Sequence, residues 1–351
     1  MEPRQYQQNI NQEFEEPMKT PGNPTGKEKV FDTKKIVATV IGTVVVVIAV
    51  AVGIVFLIQY LNKPTDTPTE PTATTTDEPE PEPTVPEKID LQLALNQWVT
   101  TQTAANSGVL IYDLDNGAVV ARHNEDKKFR IESIYKMFVA YEGYYRVDHD
   151  VWKGTDKALN WNSYDKSPYT ISLCLDHMIR YSYSSCAENL WQRIGHKKLQ
   201  EIYDEKGFKD TSIDAITSTA SDLTKLYQQY WAHTDLSDAS WKAIKDSMLN
   251  QVAPKSAGSP YTSNWRQGLP SGFATAKVYD KVGWLGDGNG HWIYYADAAF
   301  LEFPEVEKNH EGEKKLARHY IMIALTQNTD YKELVKLGRK IEDAVKTADN
   351  Y

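Results

Sequence analysis

Three short stretches of the 351-residue chain carry side chains whose types and spacing suit covalent chemistry. The first is Ser133-Ile134-Tyr135-Lys136, which opens the run Tyr135-Lys-Met-Phe-Val-Ala-Tyr. On a helix, residues three apart share a face, so the Lys136 amine falls one turn from the Ser133 hydroxyl. Burial and a helix N-terminus both disfavour an ammonium. A lysine kept neutral there takes the serine proton and makes Ser133 a nucleophile. The second stretch is Lys281-Val282-Gly283, within the strand pattern Val278-Tyr-Asp-Lys-Val-Gly-Trp-Leu. A glycine on an edge strand lets a substrate backbone come close, and an ammonium beside it suits a carboxylate. The third is Ser182-Tyr183-Ser184, between the run Ile171 to Tyr181 and a new helix at Ala187-Glu-Asn-Leu-Trp. Hydroxyls on a loop between two helices can face a cleft and relay protons. Taken singly, each stretch has an ordinary explanation: helix N-caps for the serines, a bulge for the glycine.

These side chains must be positioned by the elements around them. Ile89 to Thr103 has helical periodicity, and Gly108-Val-Leu-Ile-Tyr-Asp and Ala118-Val-Val-Ala-Arg flank Asn116-Gly117, a hairpin signal. Helical patterns fill Ser133 to about Ser240. Strand patterns return at Ala276 to Leu285, His291 to Phe303 and Arg318 to Gln327, and Tyr331 to Thr347 closes the chain as an amphipathic helix. Strands at both ends with a helical block between them make an α/β sandwich in which the first strands must meet the last.

Order and spacing carry more than any one motif. A hairpin, a Ser-x-x-Lys helix, a helical block with a serine loop, then a Lys-x-Gly strand resembles the serine β-lactamase/penicillin-binding superfamily, class A in particular. The resemblance runs from about Ser107 to the C-terminus. It includes Arg130-Ile-Glu-Ser-Ile-Tyr-Lys-Met before the nucleophile, Met178-Ile-Arg-Tyr-Ser-Tyr-Ser before the loop, and Leu269-Pro before the lysine strand. It implies an antiparallel sheet flanked by N- and C-terminal helices, plus an all-helical subdomain. It also implies roles: Ser133 the acylated nucleophile, Lys136 its base, and Ser182 the donor to the leaving nitrogen. Lys281 would steady that proton path and help bind the substrate carboxylate. Tyr183, Ser184, Val282, Gly283 and Trp284 would contact substrate, and the backbone N–H groups of Ser133 and Trp284 would form the oxyanion hole. The expected substrate is a β-lactam or the D-Ala-D-Ala-type stem peptide of peptidoglycan, with no metal and no organic cofactor.

The chain departs from that family's pattern in several places. Tyr183 and Ser184 stand where Asp and Asn are usual. The Met178 lead-in favours Ser182 as the proton-relaying hydroxyl, whereas Ala187-Glu-Asn-Leu would fit better with Tyr183 in that place. Val282 replaces a threonine and removes a donor worth about 1.5–3 kcal/mol when it meets a carboxylate. No Glu-x-x-Leu-Asn loop is present to activate water, and Asp214, within Gly207-Phe-Lys-Asp-Thr-Ser-Ile-Asp-Ala-Ile-Thr, is a distant substitute. Slow deacylation is therefore expected. The alternatives are a D,D-carboxypeptidase-like peptidoglycan enzyme and an inactive wall-binding or sensor module.

The rest of the chain reads as an anchor. Residues 1–35 are polar, without hydrophobic period, and are expected to be a disordered cytoplasmic tail. Residues 36–61 contain an uninterrupted apolar run of about 23 residues, enough to cross a ~30 Å hydrocarbon core. Lys27, Lys29, Lys34 and Lys35 precede it and a lone Lys63 follows, which orients the N-terminus to the cytoplasm and the C-terminal part outside. Residues 62–87 are rich in Pro, Thr and Glu, a semi-rigid extracellular stalk of roughly 70 Å at full extension. Residues 88–351 are expected to form the β-lactamase-like serine hydrolase domain. With 39 basic against 48 acidic residues, a net charge of −9, nucleic acid is excluded as a partner.

The two cysteines, Cys174 and Cys186, lie on successive helical patterns either side of the Ser182 loop. In an oxidising compartment a bridge is expected, with two unpaired core thiols as the alternative. Neither Cys pairs nor an HExxH helix offers zinc spacing. Asp113-Leu-Asp-Asn-Gly117 lacks the distal glutamate of a calcium loop. Gly286-Asp-Gly-Asn-Gly290 reads as a turn, and Trp284 and Trp292 as core aromatics, with a place beside the pocket as the alternative.

Overall fold

The computed structural model describes residues 90–100, 106–160, 168–249, 267–287, 291–304 and 318–349. The tail, the apolar span and the stalk lie outside the described residues, as does most of the turn after Gly286. Among the described residues, no helix is long and apolar enough to cross a membrane.

A five-stranded antiparallel sheet is the frame, in the order β2-β1-β5-β4-β3 by the following numbering of its long strands. These are β1 (Ser107–Asp113), β2 (Ala118–His123), β3 (Lys277–Gly286), β4 (Trp292–Phe303) and β5 (Arg318–Gln327). The first strand does meet the last, from Ser107 opposite Thr326 to Asp113 opposite Tyr320. The hairpin between β1 and β2 has a four-residue connection rather than a two-residue Asn-Gly turn. The Asp113 carboxylate organises it, accepting N–H bonds from Asp115 and Asn116, both at 2.9 Å. Gly117 closes the turn at φ +66°.

Helices cover both faces. On one side lie α1 (Leu91–Thr100) and the C-terminal helix, Tyr331–Asp349. Trp98 Nε1 donates to Glu333 O at 3.0 Å across that pair. The apolar stripe Leu334, Leu337, Ile341, Val345 packs with Leu91, Leu95 and Trp98 against Val109, Ile111 and Met322 of the sheet. On the other side sits the helical block: α2 (Tyr135–Asp148), α3 (Ile171–Arg180), α4 (Ser184–Ile194), α5 (His196–Glu205), α6 (Ala220–Ala232) and α7 (Asp238–Leu249). The C-terminal helix is α8.

The helical block is not wholly helical. Two small two-stranded sheets interrupt it, Phe129–Arg130 with Thr217–Ser218 and Lys157–Leu159 with Tyr169–Thr170. The core of the block is rich in aromatic rings. Phe138, Tyr203 and Phe208 pack edge to face, and buried tyrosine hydroxyls donate to backbone carbonyls. Tyr203 bonds Phe138 O at 3.0 Å, Tyr230 bonds Met137 O at 2.6 Å, and Tyr227 bonds Ala298 O of the sheet at 2.9 Å. Burying a phenol without such an acceptor would cost ~1–3 kcal/mol. These bonds fix α2, and with it Ser133, against the sheet.

Candidate active site

The nucleophile candidate sits on a tight turn. Glu132–Ile134 form one 3₁₀ turn leading into α2, and Glu132 is held at φ +46°, a conformation that L residues adopt at a cost of ~1–3 kcal/mol. Arg130 Nε pairs with the Glu132 carboxylate at 2.7 Å across this turn. The turn is pressed against strand β3 at Gly283. A Cβ placed on Gly283 would lie 2.2 Å from Ile131 O and 3.0 Å from Ser133 N, so only glycine fits there. Edge strand and nucleophile turn are therefore in backbone contact.

Lys136 lies in the first turn of α2 and is 2 % exposed. Its Nζ is 2.9 Å from Ser133 Oγ, 2.9 Å from Ser182 O, 3.3 Å from Ser182 Oγ and 3.2 Å from Ser184 Oγ. The carbonyl requires an N–H from the amine, but each hydroxyl can donate or accept. A neutral Lys136 therefore has a hydroxyl to receive from as well as oxygens to donate to. Burial holds Lys136 well below the usual lysine range, the nearby Lys281 pushes the same way, and Glu132 opposes them.

Lys281, on β3, is fully buried, and its Nζ donates to Ser182 Oγ at 3.0 Å and Val282 O at 3.0 Å. Burial brings Lys281 down to about 7, while the buried carboxylates Asp280 and Asp297 limit the fall. One hydroxyl, Ser182 Oγ, thus bridges two amines that cannot cheaply both be ammonium. Ser133, Lys136, Ser182 and Lys281 converge in one place. Ser182 itself is at φ +53°.

The other expected contacts divide. Ser184, the first residue of α4, joins the cluster through its hydroxyl. Tyr183 does not: it is 7 % exposed and its ring packs 5.8 Å from that of Tyr169. Of the two hydroxyls weighed from sequence, the one between the amines is Ser182. The Val282 side chain is fully buried in the core beneath α1 and α8, so it points away from the cluster, as β alternation requires once Lys281 and Gly283 face it. The Trp284 ring packs at 4.8 Å from Trp292 on that same far side. At Val282 and Trp284, backbone rather than side chain is what the cleft can use.

The segment expected to hold a water-activating base is short. Ile216 O accepts from Ile131 N at 3.0 Å, so backbone of this loop runs alongside the strand leading to Ser133. Asp214 is exposed. Among the described residues, no carboxylate hydrogen-bonds Ser133 or Lys136, and no group of His, Cys, Asp or Glu is arranged to hold a metal ion. Cys174 and Cys186 are joined in a disulfide.

Sequence reasoning passed over Asp297 and Asp280. The signal was present: a lone aspartate in Tyr-Tyr-Ala-Asp-Ala-Ala-Phe, within an apolar strand, needs a polar partner when buried, and Leu269 N donates to Asp297 Oδ2 at 2.9 Å. It passed over Arg130 and Glu132 as well, whose pairing depends on a positive φ that sequence does not announce.

A serine with a buried amine at its side, mounted between a helical block and the edge of an antiparallel sheet, is the architecture of the β-lactamase-like serine hydrolases. The sequence model of the β-lactamase enzyme family matches residues 90–346, and the chain belongs to that family. Solved structures agree at the level of fold. PBP-A is 19 % identical with a TM-score of 0.57, covering 73 % of this chain and 96 % of its own. A β-lactamase from Chitinophaga pinensis DSM 2588 is 16 % identical at 0.58, covering 74 % and 99 %. TLA-1 extended-spectrum β-lactamase is 14 % identical at 0.59, covering 74 % and 99 %. No curated protein sequence matches the chain.

Proposed function

We propose that this protein is an acyl-transferring serine enzyme in which Ser133 attacks a β-lactam or a D-Ala-D-Ala-type peptide carbonyl. The observation that carries the reading is the 2.9 Å contact between Ser133 Oγ and a buried Lys136 amine. Neutral Lys136 takes the serine proton as the Oγ–carbonyl bond forms. Ser182, bonded to both amines, then passes a proton to the leaving nitrogen, which makes that leaving group neutral. Backbone N–H groups of Ser133 and Trp284 receive the oxyanion, and the Gly283 contact is what brings those two segments together. Lys281, when protonated, attracts the substrate carboxylate.

Deacylation is proposed to be slow, because the loop that would carry the water-activating base offers only the exposed Asp214. A second reading, a D,D-carboxypeptidase-like peptidoglycan enzyme, is favoured by the same feature. PBP-A, which shares the fold, has a mutant whose structure is described as an acyl-enzyme complex with penicillin G.

Fluorescent penicillin added to residues 88–351 is expected to label the protein covalently, and Ser133→Ala to abolish the label. No Ser133-dependent adduct would leave a binding or sensor module as the function. With a chromogenic cephalosporin the expected result is a burst of one equivalent followed by little turnover. Sustained turnover would make it an efficient β-lactamase instead.

The reading extends to location. Residues 36–61 would span the membrane once, with residues 62–87 holding the domain outside, and the Cys174–Cys186 disulfide suits that oxidising side. Protease added to intact cells should release the domain. A domain resistant until the cells are opened would overturn the orientation.

A further inference from the structure

The turn that supplies Ser182 and Ser184 has an unusual backbone. Ser182 is at φ +53°, a conformation that persists in an L residue only where the surroundings impose it. Helix α4 starts immediately after with no side-chain cap from Tyr183 on its free N–H groups. On its own backbone the turn is held by His177 O, which accepts from Tyr181 N at 3.0 Å and Tyr183 N at 3.1 Å. Yet three of the four oxygens around the Lys136 amine belong to it: Ser182 O, Ser182 Oγ and Ser184 Oγ. This turn therefore holds most of the oxygens around that amine.

The disulfide bestrides this turn. Cys174 lies on α3 before it and Cys186 on α4 after it, both fully buried, with a sequence separation of 12. A covalent tie between those helices removes the motion that would let α4 draw Ser182 and Ser184 off Lys136. We propose that the Cys174–Cys186 disulfide is a positioning device for acylation: it keeps residues 181–184 closed on Lys136, so that its loss slows attack by Ser133 while the domain stays folded. This rests on the acyl-transfer reading above.

With the tie gone, Ser182 can relax towards an ordinary φ and water can reach the Lys136 amine. A better hydrated amine holds its proton more firmly. The charged groups acting on Lys136 are Lys281 from β3 and Glu132 from the turn before α2. Neither lies on α3 or α4, so a changed pH profile would report the enclosure of Lys136 and not a lost charge.

The test is the full-length protein with Cys174→Ala and Cys186→Ala together, compared with the wild type in rapid labelling by fluorescent penicillin across pH. The expected result is cooperative unfolding retained, labelling slowed by about ten-fold or more, and the acid limb of the rate profile moved to higher pH. Hydrogen exchange at the Tyr183 amide should quicken. An unchanged labelling rate and an unmoved limb overturn the proposal, even if the melting temperature falls.

Should the double variant fail to fold, the wild type treated with dithiothreitol decides. Each cysteine gains a hydrogen as the reagent's two thiols close to a cyclic disulfide, and mass spectrometry reports the opening. Labelling that falls on reduction and returns on reoxidation supports the device; labelling unaffected by an opened bridge overturns it. If the wild type takes no Ser133-dependent label, the acyl-transfer reading fails by itself. Exchange at the Tyr183 amide then decides the positioning claim: faster on opening supports it, unchanged overturns it.

Discussion

Replacing Gly283 by alanine should damage the site more than any other single methyl group. The added Cβ would stand 2.2 Å from Ile131 O, 3.0 Å from Ser133 N and 3.1 Å from Ile134 N, all of them backbone atoms. No side chain can swing away, so strand β3 and the nucleophile turn must part by roughly 1 Å to restore ordinary contact. Overpacking of this kind costs ~1–3 kcal/mol of stability, a few degrees in melting temperature for a domain of this size. The catalytic cost is separate. Parting the two segments pulls the Trp284 N–H away from the Ser133 N–H, and a misplacement of about 1 Å is worth ~10²-fold in rate. Penicillin acylation measured by stopped flow, with calorimetry on the same samples, separates the two effects. Gly283→Ala with a wild-type acylation rate would refute the claim that this contact assembles the oxyanion site.

Four further outcomes are expected. Ser182→Ala should slow acylation by ~10²-fold or more, whereas Tyr183→Phe should leave it near wild type, because the Tyr183 ring is buried against Tyr169. Lys281→Met should move the acid limb of acylation to higher pH, since Lys281 is one of the influences lowering Lys136, and its removal lets Lys136 hold its proton. The same variant tests stability. Lys281 is brought to about 7 in the folded protein from 10.5 unfolded, so between those values the unfolded chain binds more protons, and wild-type stability rises with pH relative to Lys281→Met. Denaturant unfolding at pH 6 and pH 9 should show that gap moving in the wild type's favour; a constant gap would mean Lys281 does not titrate in this window. Removing both cysteines should also cost about 2–3 kcal/mol by the loop-closure argument, measurable by the same unfolding.

Much of this arrangement was legible in the residues, and the parts that were not share a cause. Hairpin, helical block, three late strands and closing helix follow from periodicity, because the faces that must be buried repeat at 2 or 3.6 residues. The boundaries of β5, Arg318–Gln327, match the pattern outright. Interruptions such as Lys157–Leu159 are too short to have a period. Spacing also marked the site, since Ser133 and Lys136 are neighbours on any helix. Which hydroxyl of Ser182-Tyr183 faces the amines was open in the sequence because it depends on one positive φ, at Ser182, that no local propensity demands. The resemblance implied a substrate contact at Val282, but its side chain is buried on the far face. Strand alternation fixes it as opposite to Lys281 and Gly283, and the glycine's contact with Ile131 O shows which face is the site's.

Of the seven non-glycine residues at positive φ among the described residues, two belong to this site. They are Glu132, immediately before Ser133, and Ser182, whose Oγ lies 3.3 Å from the Lys136 amine. Neither would hold that geometry in isolation. Glu132 is tied by Arg130 and by the backbone of Gly283, and Ser182 by two lysines and by helices that a disulfide joins. Lys136 is hydrogen-bonded to hydroxyls and a carbonyl and to no carboxylate, while the buried Asp280 and Asp297, on the other face of the sheet with Val282, favour the charged form of Lys281. The division leaves one amine poised to accept a proton and the other poised to keep its own near neutrality. The acyl-transfer mechanism proposed above would use that asymmetry, a base and an anion-binding cation either side of a single hydroxyl.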